Sequence, residues 1–295
     1  MKPFAYQAPT ALQEAVAVLA AAGERARPLA GGTDLLVQMR RGLLAPDLLV
    51  DVKRVPELGQ VGTGADGQLR IGAAVPLDRV GRHPAVRAGY PALADAAGLI
   101  GSVAIRSRAS LGGNLCNAAP SADSVPALIV LGATALVAGS SGSRSLPVER
   151  FCTGPGQTVL RHDELLVALD LPPALPRSGS GYLRFTPRGE MDIAVAGVAA
   201  WLLLGEDGRV AAARIALGAV GPTPLMATEA AQALVGRAPT EEALAEAAAL
   251  AQAVARPIED VRGTAAQRRH LVGVLARRAL AAALERARGE GGDGR

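Results

Sequence analysis

Two polar, glycine-containing stretches carry the residue types that could do chemistry. The longer, 105–126, holds Ser110, Gly112, Gly113, Asn114, Asn117, Ser121 and Asp123 among few bulky apolar side chains. Adjacent glycines permit positive φ and let another group approach the backbone closely. Short hydroxyl, amide and carboxyl groups beside them supply donors and acceptors. The shorter stretch is Ala30-Gly31-Gly32-Thr33-Asp34. It follows a strand expected at 27–30 and precedes a helix expected at 35–41. Gly31, Gly32 and Thr33 then fall at a helix start, where free N–H groups and the helix dipole favour an anion such as a pyrophosphate. The same residue types are the commonest turn formers. On composition alone the stretches are either two halves of an anion grip or two tight turns.

Other chemistries find little support. Cys116 and Cys152 are the only cysteines, too few for the four thiolates of an iron–sulfur cluster or a usual structural zinc site. His83, His162 and His270 are far apart in sequence, so no metal site is expected. Gly62, Gly64 and Gly67 match G-x-G-x-x-G, but a strand follows at 68–72 where that fingerprint needs a helix. They read as a hairpin turn. Lys2 and Lys53, the only lysines, stand in no Walker sequence, and no G-x-S-x-G elbow occurs. The formal charge of +4 is carried almost entirely by dispersed arginines, without the basic stripe and module of a nucleic-acid binder. No nucleic acid is expected. The absence of a disulfide framework fits a reducing compartment, and no run approaches the roughly 20 apolar residues of a membrane span. The expected location is the cytoplasm, with no transmembrane segment. Cys116 reads as a redox thiol or as a small side chain filling a tight loop, the second being the simpler account.

The elements that must position these loops follow from periodicity and punctuation. A helix capped by Thr10 is expected at 10–22, a buried strand at 48–52, helical pieces broken by Pro84 and Pro91 between 76 and 101, and a buried helix end at 127–131. Strands are expected at 134–138, 144–148 and 164–171. The Pro/Gly/Ser-rich stretch 171–181 reads as a linker. Beyond it come three long strands, 182–187, 193–204 and 210–217, then helices at 228–235, 240–255 (Thr240 as cap) and 264–288. The fold class is α+β. The expected units are 1–177 (with parts at about 1–57 and 58–177), 178–288, and a disordered tail at 289–295.

With these pieces in order, the chain resembles over nearly its whole length the FAD-binding medium subunit of the molybdenum hydroxylases, the family of carbon monoxide dehydrogenase and xanthine dehydrogenase. The matching residues are 29–36 (Leu-Ala-Gly-Gly-Thr-Asp-Leu-Leu), Ile105-Arg106, Gly112-Gly113-Asn114, Pro120, Asp123, 161–166, 192–194 and 216–224 (Ala-Leu-Gly-Ala-Val-Gly-Pro-Thr-Pro). The resemblance implies a two-part FAD-binding domain of the PCMH/vanillyl-alcohol-oxidase-like type. A C-terminal domain of a three-stranded antiparallel sheet and a helical bundle would follow it. It also implies roles. Gly31, Gly32 and Thr33, with flanking backbone from Leu29 and Ala30 to Asp34 and Leu35, would hold the FAD pyrophosphate. Ser110, Gly112, Gly113 and Asn114 would form a second loop over the phosphates and ribityl chain. A side chain at Gly112 or Gly113 would block that approach. Asp123 would hydrogen-bond the adenosine part and Leu166 would pack near the adenine. Residues 182–187 would approach the flavin, with Arg184 standing where a lysine is common and Ile100 where some relatives carry an aromatic.

The implied function is electron relay. FAD would accept electrons from the iron–sulfur clusters of a small partner subunit and deliver them to an acceptor such as NAD or a quinone. Substrate oxidation would occur on a large molybdenum-cofactor subunit, the whole forming a dimer of heterotrimers. The alternative is a free-standing FAD-dependent oxidoreductase with its own small organic substrate. For that the Tyr/His candidates are Tyr6, Tyr90, Tyr182 and His162.

Overall fold

The computed structural model describes residues 1–289; the expected disordered tail lies, from residue 290 on, outside them. The chain opens with β1 (Ala5–Gln7), α1 (Leu12–Ala22), β2 (Ala26–Leu29), α2 (Leu35–Arg40), β3 (Leu48–Asp51) and α3 (Pro56–Gly59). The three strands make a small parallel sheet in the order β1-β3-β2. Ala15, Val16 and Leu19 of α1 pack on it with Ala26, Val50 and Val52. Thr10 is not the cap of α1. The N-cap is Ala11, without a side-chain hydrogen bond, and the Thr10 N–H donates to the Glu14 carboxylate at 3.0 Å.

Next come β4 (Val61–Thr63) and β5 (Leu69–Gly72), the hairpin that the intervening glycines predicted. Three short helices follow: α4 (Leu77–Arg82), α5 (Pro84–Gly89) and α6 (Pro91–Leu99). Each proline begins a helix rather than merely breaking one, because its missing N–H costs nothing in the first turn. The stretch read as a polar loop is half helical. It folds into α7 (Val103–Arg106), α8 (Leu111–Cys116) and α9 (Ser124–Val130). Ser102 and Ser110 cap the first two, accepting from the N–H groups of Ile105 (3.4 Å) and Gly113 (3.0 Å). Then follow β6 (Thr134–Gly139), β7 (Gly142–Pro147), β8 (Cys152–Gly154), β9 (Gln157–Thr158) and β10 (Leu165–Leu171). The second sheet runs β4-β5-β10-β6-β7. Every residue of β10 is buried; its Leu, Val and Ala residues fill the sheet centre, and its one charge, Asp170, is paired with Arg70 through two 2.7 Å hydrogen bonds.

The remaining elements are β11 (Ser178–Phe185), β12 (Ala196–Leu204), β13 (Val210–Gly218), β14 (Leu225–Met226), α10 (Thr228–Gln232), α11 (Glu241–Val254) and α12 (Ala265–Ala287). The three long strands are antiparallel neighbours, and β14 adds a two-residue fourth strand at the edge, so the sheet is four-stranded rather than three-stranded. Thr240 caps α11 as expected. Both faces of the sheet are covered. Val198, Ala200 and Leu202 face α12, while Ala199 joins the core of the preceding part, the period-2 alternation of a strand.

The last four residues of the expected linker are strand. Gly179 runs so close to α12 that a Cβ would strike the Ala283 carbonyl and the Ala287 nitrogen. Small residues there serve helix packing, not flexibility. The same place joins the two halves of the molecule. Arg286 donates to both carboxylate oxygens of Asp95 on α6 (2.7 and 3.1 Å) and to the Ser180 carbonyl (2.6 Å). The Ala92 N–H donates to the Ser180 hydroxyl at 3.2 Å. Among the described residues no helix is long and apolar enough to cross a membrane.

Candidate cofactor-binding cleft

A cleft of about 1320 Å³ opens where the first glycine loop, α8, the start of β10 and the end of β11 converge. Thirteen of the fourteen site residues expected from the sequence line it: Ala30, Gly31, Gly32, Thr33, Asp34, Leu35, Ser110, Gly112, Gly113, Asn114, Asp123, Leu166 and Arg184. Leu29 is the exception. It ends β2 and its side chain lies behind the loop, against the Cβ position of Gly32. Ile100 also lines the cleft, together with Met191, Asp192 and Ile193 from the turn after β11.

The first loop is built to present donors. Gly32 has a φ of 77°, a left-handed conformation that glycine adopts without strain. The N–H groups of Gly31, Gly32, Thr33, Asp34 and Leu35 have no acceptor among the described residues. The Gly32 carbonyl accepts from Leu36 at 3.0 Å, so the helical turn effectively begins here and leaves its leading N–H groups free. Burial pushes the Asp34 carboxyl above its ordinary value. Gly31 has a second reason to be glycine: a Cβ there would strike the backbone of Arg108 and Ala109. The two loops therefore touch backbone to backbone. A 2.9 Å hydrogen bond from the Gln38 amide to the Asn117 side-chain oxygen clasps them.

The second loop departs from expectation. The N–H groups of residues 111–114 are engaged within the protein: Leu111 to Val75, Gly112 to Ala73, and Asn114 to Ser110, with Gly113 on the Ser110 hydroxyl. The Gly112–Gly113 turn therefore offers no nest of free N–H donors. Gly112 is buried, and a Cβ on it would collide with Ala73, so its lack of a side chain serves the fold rather than a ligand's approach. Gly113 is different. It is exposed, and a Cβ there would meet only the Ser110 hydroxyl, at 2.8 Å. Asn114 accepts from the Ser124 hydroxyl at 2.6 Å, which leaves its amide N–H groups without a protein acceptor among the described residues.

Asp123, at the N-terminal end of α9, is committed to protein partners. Its two oxygens accept from the Tyr182 hydroxyl at 2.7 Å and from Arg184 at 2.5 Å. All three side chains are buried. Burial pushes the Asp123 carboxyl up, and the Arg184 charge and both hydrogen bonds pull against that rise. The same burial, with Asp123 beside it, raises the Tyr182 hydroxyl. Tyr182 itself does not line the cleft; Arg184 does. Deeper in the wall, Glu164 is held below its ordinary range first by paired hydrogen bonds from Arg144, both 2.8 Å.

Burial, then the neighbouring Cys152, pushes the Cys116 thiol up to about 12, which favours the protonated thiol. Its side chain packs against the main core cluster. Gln38 and Asn117 are the contacts that the sequence reading did not pair; nothing in a helical glutamine signals a partner 79 residues away.

The geometry suits an elongated anionic ligand, and comparison with known proteins says which. Residues 2–174 match the family described as the FAD binding domain in molybdopterin dehydrogenase. Residues 181–283 match the CO dehydrogenase flavoprotein C-terminal domain. The chain is 35% identical over 285 residues to the carbon monoxide dehydrogenase medium chain of Hydrogenophaga pseudoflava, covering 96% of this chain and 98% of that one. It is 34% identical over 291 residues to the xanthine dehydrogenase FAD-binding subunit of Escherichia coli O157:H7, covering 97% of each. Among solved structures, a carbon monoxide dehydrogenase from H. pseudoflava superposes with a TM-score of 0.92 at 35% identity, over 96% of this chain and 98% of that chain. A quinoline 2-oxidoreductase from Pseudomonas putida 86 gives 0.90 at 35% identity, over 97% and 99%. A loop of free N–H donors on a cleft of this size fits the pyrophosphate-containing cofactor of that family, and the chain belongs to the FAD-binding subunits of the molybdopterin dehydrogenases.

Proposed function

We propose that this chain is the electron-relay subunit of a multi-subunit molybdenum hydroxylase, passing electrons from a partner's iron–sulfur clusters through FAD to an external acceptor. The observation that carries the reading is the run of five acceptor-free N–H groups, Gly31 to Leu35, on the wall of the cleft. Such donors can neutralise a pyrophosphate without lysine. Bound FAD supplies single-electron acceptance and paired release, and the chain's own residues bind and orient it. Gly31, Gly32 and Thr33 hold the pyrophosphate, with Leu29 shaping the loop from behind and Ala30, Asp34 and Leu35 completing it. Gly113 leaves room for the ligand, and the Ser110 hydroxyl and Asn114 amide face it. Leu166 contributes an apolar wall for the adenine. Asp123 acts chiefly by fixing Arg184 at the cleft.

The partners are a small iron–sulfur subunit and a large molybdenum-cofactor subunit, assembled as a dimer of heterotrimers in the cytoplasm, with NAD or a quinone as acceptor. In support, two cysteines are too few to hold a cluster on this chain. The units proposed are 1–177 for FAD binding and 178–288 as the C-terminal domain. For the free-standing oxidoreductase reading, the three tyrosine candidates are tied to protein partners. Tyr6 is bonded to Asp51, Tyr90 to the Pro172 carbonyl and Tyr182 to Asp123. Of the four candidates, His162 alone lines the cleft. Anaerobic mixing of the flavin-loaded chain with purines, aldehydes or carbon monoxide should leave the flavin oxidised. Bleaching should require the partner subunits. Reduction by an organic substrate without them would transfer the assignment to the free-standing reading.

A further inference from the structure

The first loop's donors are useful only if its peptides face the right way, and one side chain outside the cleft bears on this. The Lys53 ammonium, just beyond β3, donates to the Ala30 carbonyl at 3.1 Å and to Asp51 Oδ1 at 2.7 Å. Asp51 is buried; it also accepts from the Lys53 N–H at 3.0 Å and, on its other oxygen, from the Tyr6 hydroxyl at 2.5 Å. Burial works to raise the Asp51 carboxyl, but the hydrogen bonds from Lys53 and Tyr6 outweigh it and hold the group below its ordinary value. The carboxylate thus balances the lysine charge, and what Lys53 adds at the loop is a directed hydrogen bond rather than a free positive field.

A trans peptide is planar, with its C=O and N–H pointing in opposite directions. Tying the Ala30 carbonyl to Lys53 therefore turns the Gly31 N–H away from Lys53. Ala30 and Gly31 line the cleft and Lys53 does not. We propose that Lys53, braced by Asp51 and Tyr6, is a positioning residue that orients the Ala30–Gly31 peptide so that the Gly31 N–H faces the cofactor's pyrophosphate. This rests on the placement of the pyrophosphate at residues 31–35. The lysine was discounted in the sequence because it stands in no phosphate-binding motif; its role is to hold the loop, not the phosphate.

The test uses the full-length chain freed of flavin and titrated with FAD. Lys53→Met is expected to raise the FAD dissociation constant about tenfold, the scale of one lost hydrogen bond. Tyr6→Phe should raise it by about threefold, since it loosens only the brace. Lys53→Arg restores a donor to the carbonyl and should return affinity to near wild type. With saturating FAD, the phosphorus-31 resonances of the bound pyrophosphate should shift in Lys53→Met and return in Lys53→Arg, while the flavin absorption spectrum stays unchanged. A residue that merely stabilises the fold would not produce that pattern. Gly32→Val is the control for the underlying assignment, because its φ of 77° does not suit a β-branched side chain. If Gly32→Val loses FAD while Lys53→Met keeps wild-type affinity and resonances, the positioning role is overturned and the loop assignment survives. If Gly32→Val binds normally, the loop assignment itself is wrong. Should Lys53→Met fail to fold, Tyr6→Phe with unaltered FAD affinity and resonances would overturn the proposal.

Discussion

Gly113→Val is expected to lower FAD affinity on the order of 100-fold, about 3 kcal/mol, while leaving the fold intact. The argument turns on a difference between neighbours. At Gly112 a Cβ would strike Ala73, so a side chain there disrupts the packing of α8 on the strand-turn after β5. At Gly113 the only protein atom in the way is the Ser110 hydroxyl, the cap of α8, whose displacement costs about 1 kcal/mol. The added methyl groups then stand in the cleft, where the cofactor should lie. Flavin content after purification and a denaturant titration separate the two effects. Near-normal flavin in Gly113→Val would show that the cofactor does not pass this face of α8. A loss of stability well beyond the roughly 1 kcal/mol of a lost cap would show that Gly113, too, is a packing glycine.

Asp123→Ala should cost about 3–5 kcal/mol of stability by urea unfolding of the flavin-free chain. It strands two buried partners at once, the Arg184 guanidinium and the Tyr182 hydroxyl. The cost comes from the unpaired charge more than from the missing bond. The double change Asp123→Leu with Arg184→Met removes both charges and should recover much of the loss. A double mutant as unstable as the sum of its single changes would mean that the pair contributes little and that Asp123 acts through some other contact. Because Asp123 begins α9 and Arg184 lies on β11, the pair also ties the cleft to the C-terminal sheet. Arg286 and Asp95 make a second tie at the other end of β11.

Much of this was legible in the amino-acid order. Alternating apolar residues and glycine turns gave β4, β5 and the long C-terminal strands, and threonine marked the start of α11. Gly31 to Thr33 were correctly read as the entry to a helix. What could not be read was which donors are already occupied. Gly112 and Gly113 look alike in sequence, yet one fits against Ala73 and the other is exposed, a difference made by the turn after β5, distant in sequence. Ser178 to Gly181 have the composition of a linker but form part of β11, because α12 lies too close for larger side chains. The polar stretch 105–126 reads as loop by composition. Serine caps and packing against the core nevertheless stabilise short helices that local propensity would not sustain alone. Lys53 and Gln38 escaped notice for the same reason: each acts on a segment distant in sequence, and neither belongs to a motif.

The central claim is that the chain holds FAD, without a covalent bond, through the donors of residues 31–35. Its most direct test is flavin analysis of the purified full-length chain, supplied with FAD and then denatured. One intact FAD per chain, released fully into the supernatant, is the expected result. A correctly folded chain that stays colourless and takes up no FAD would contradict the account.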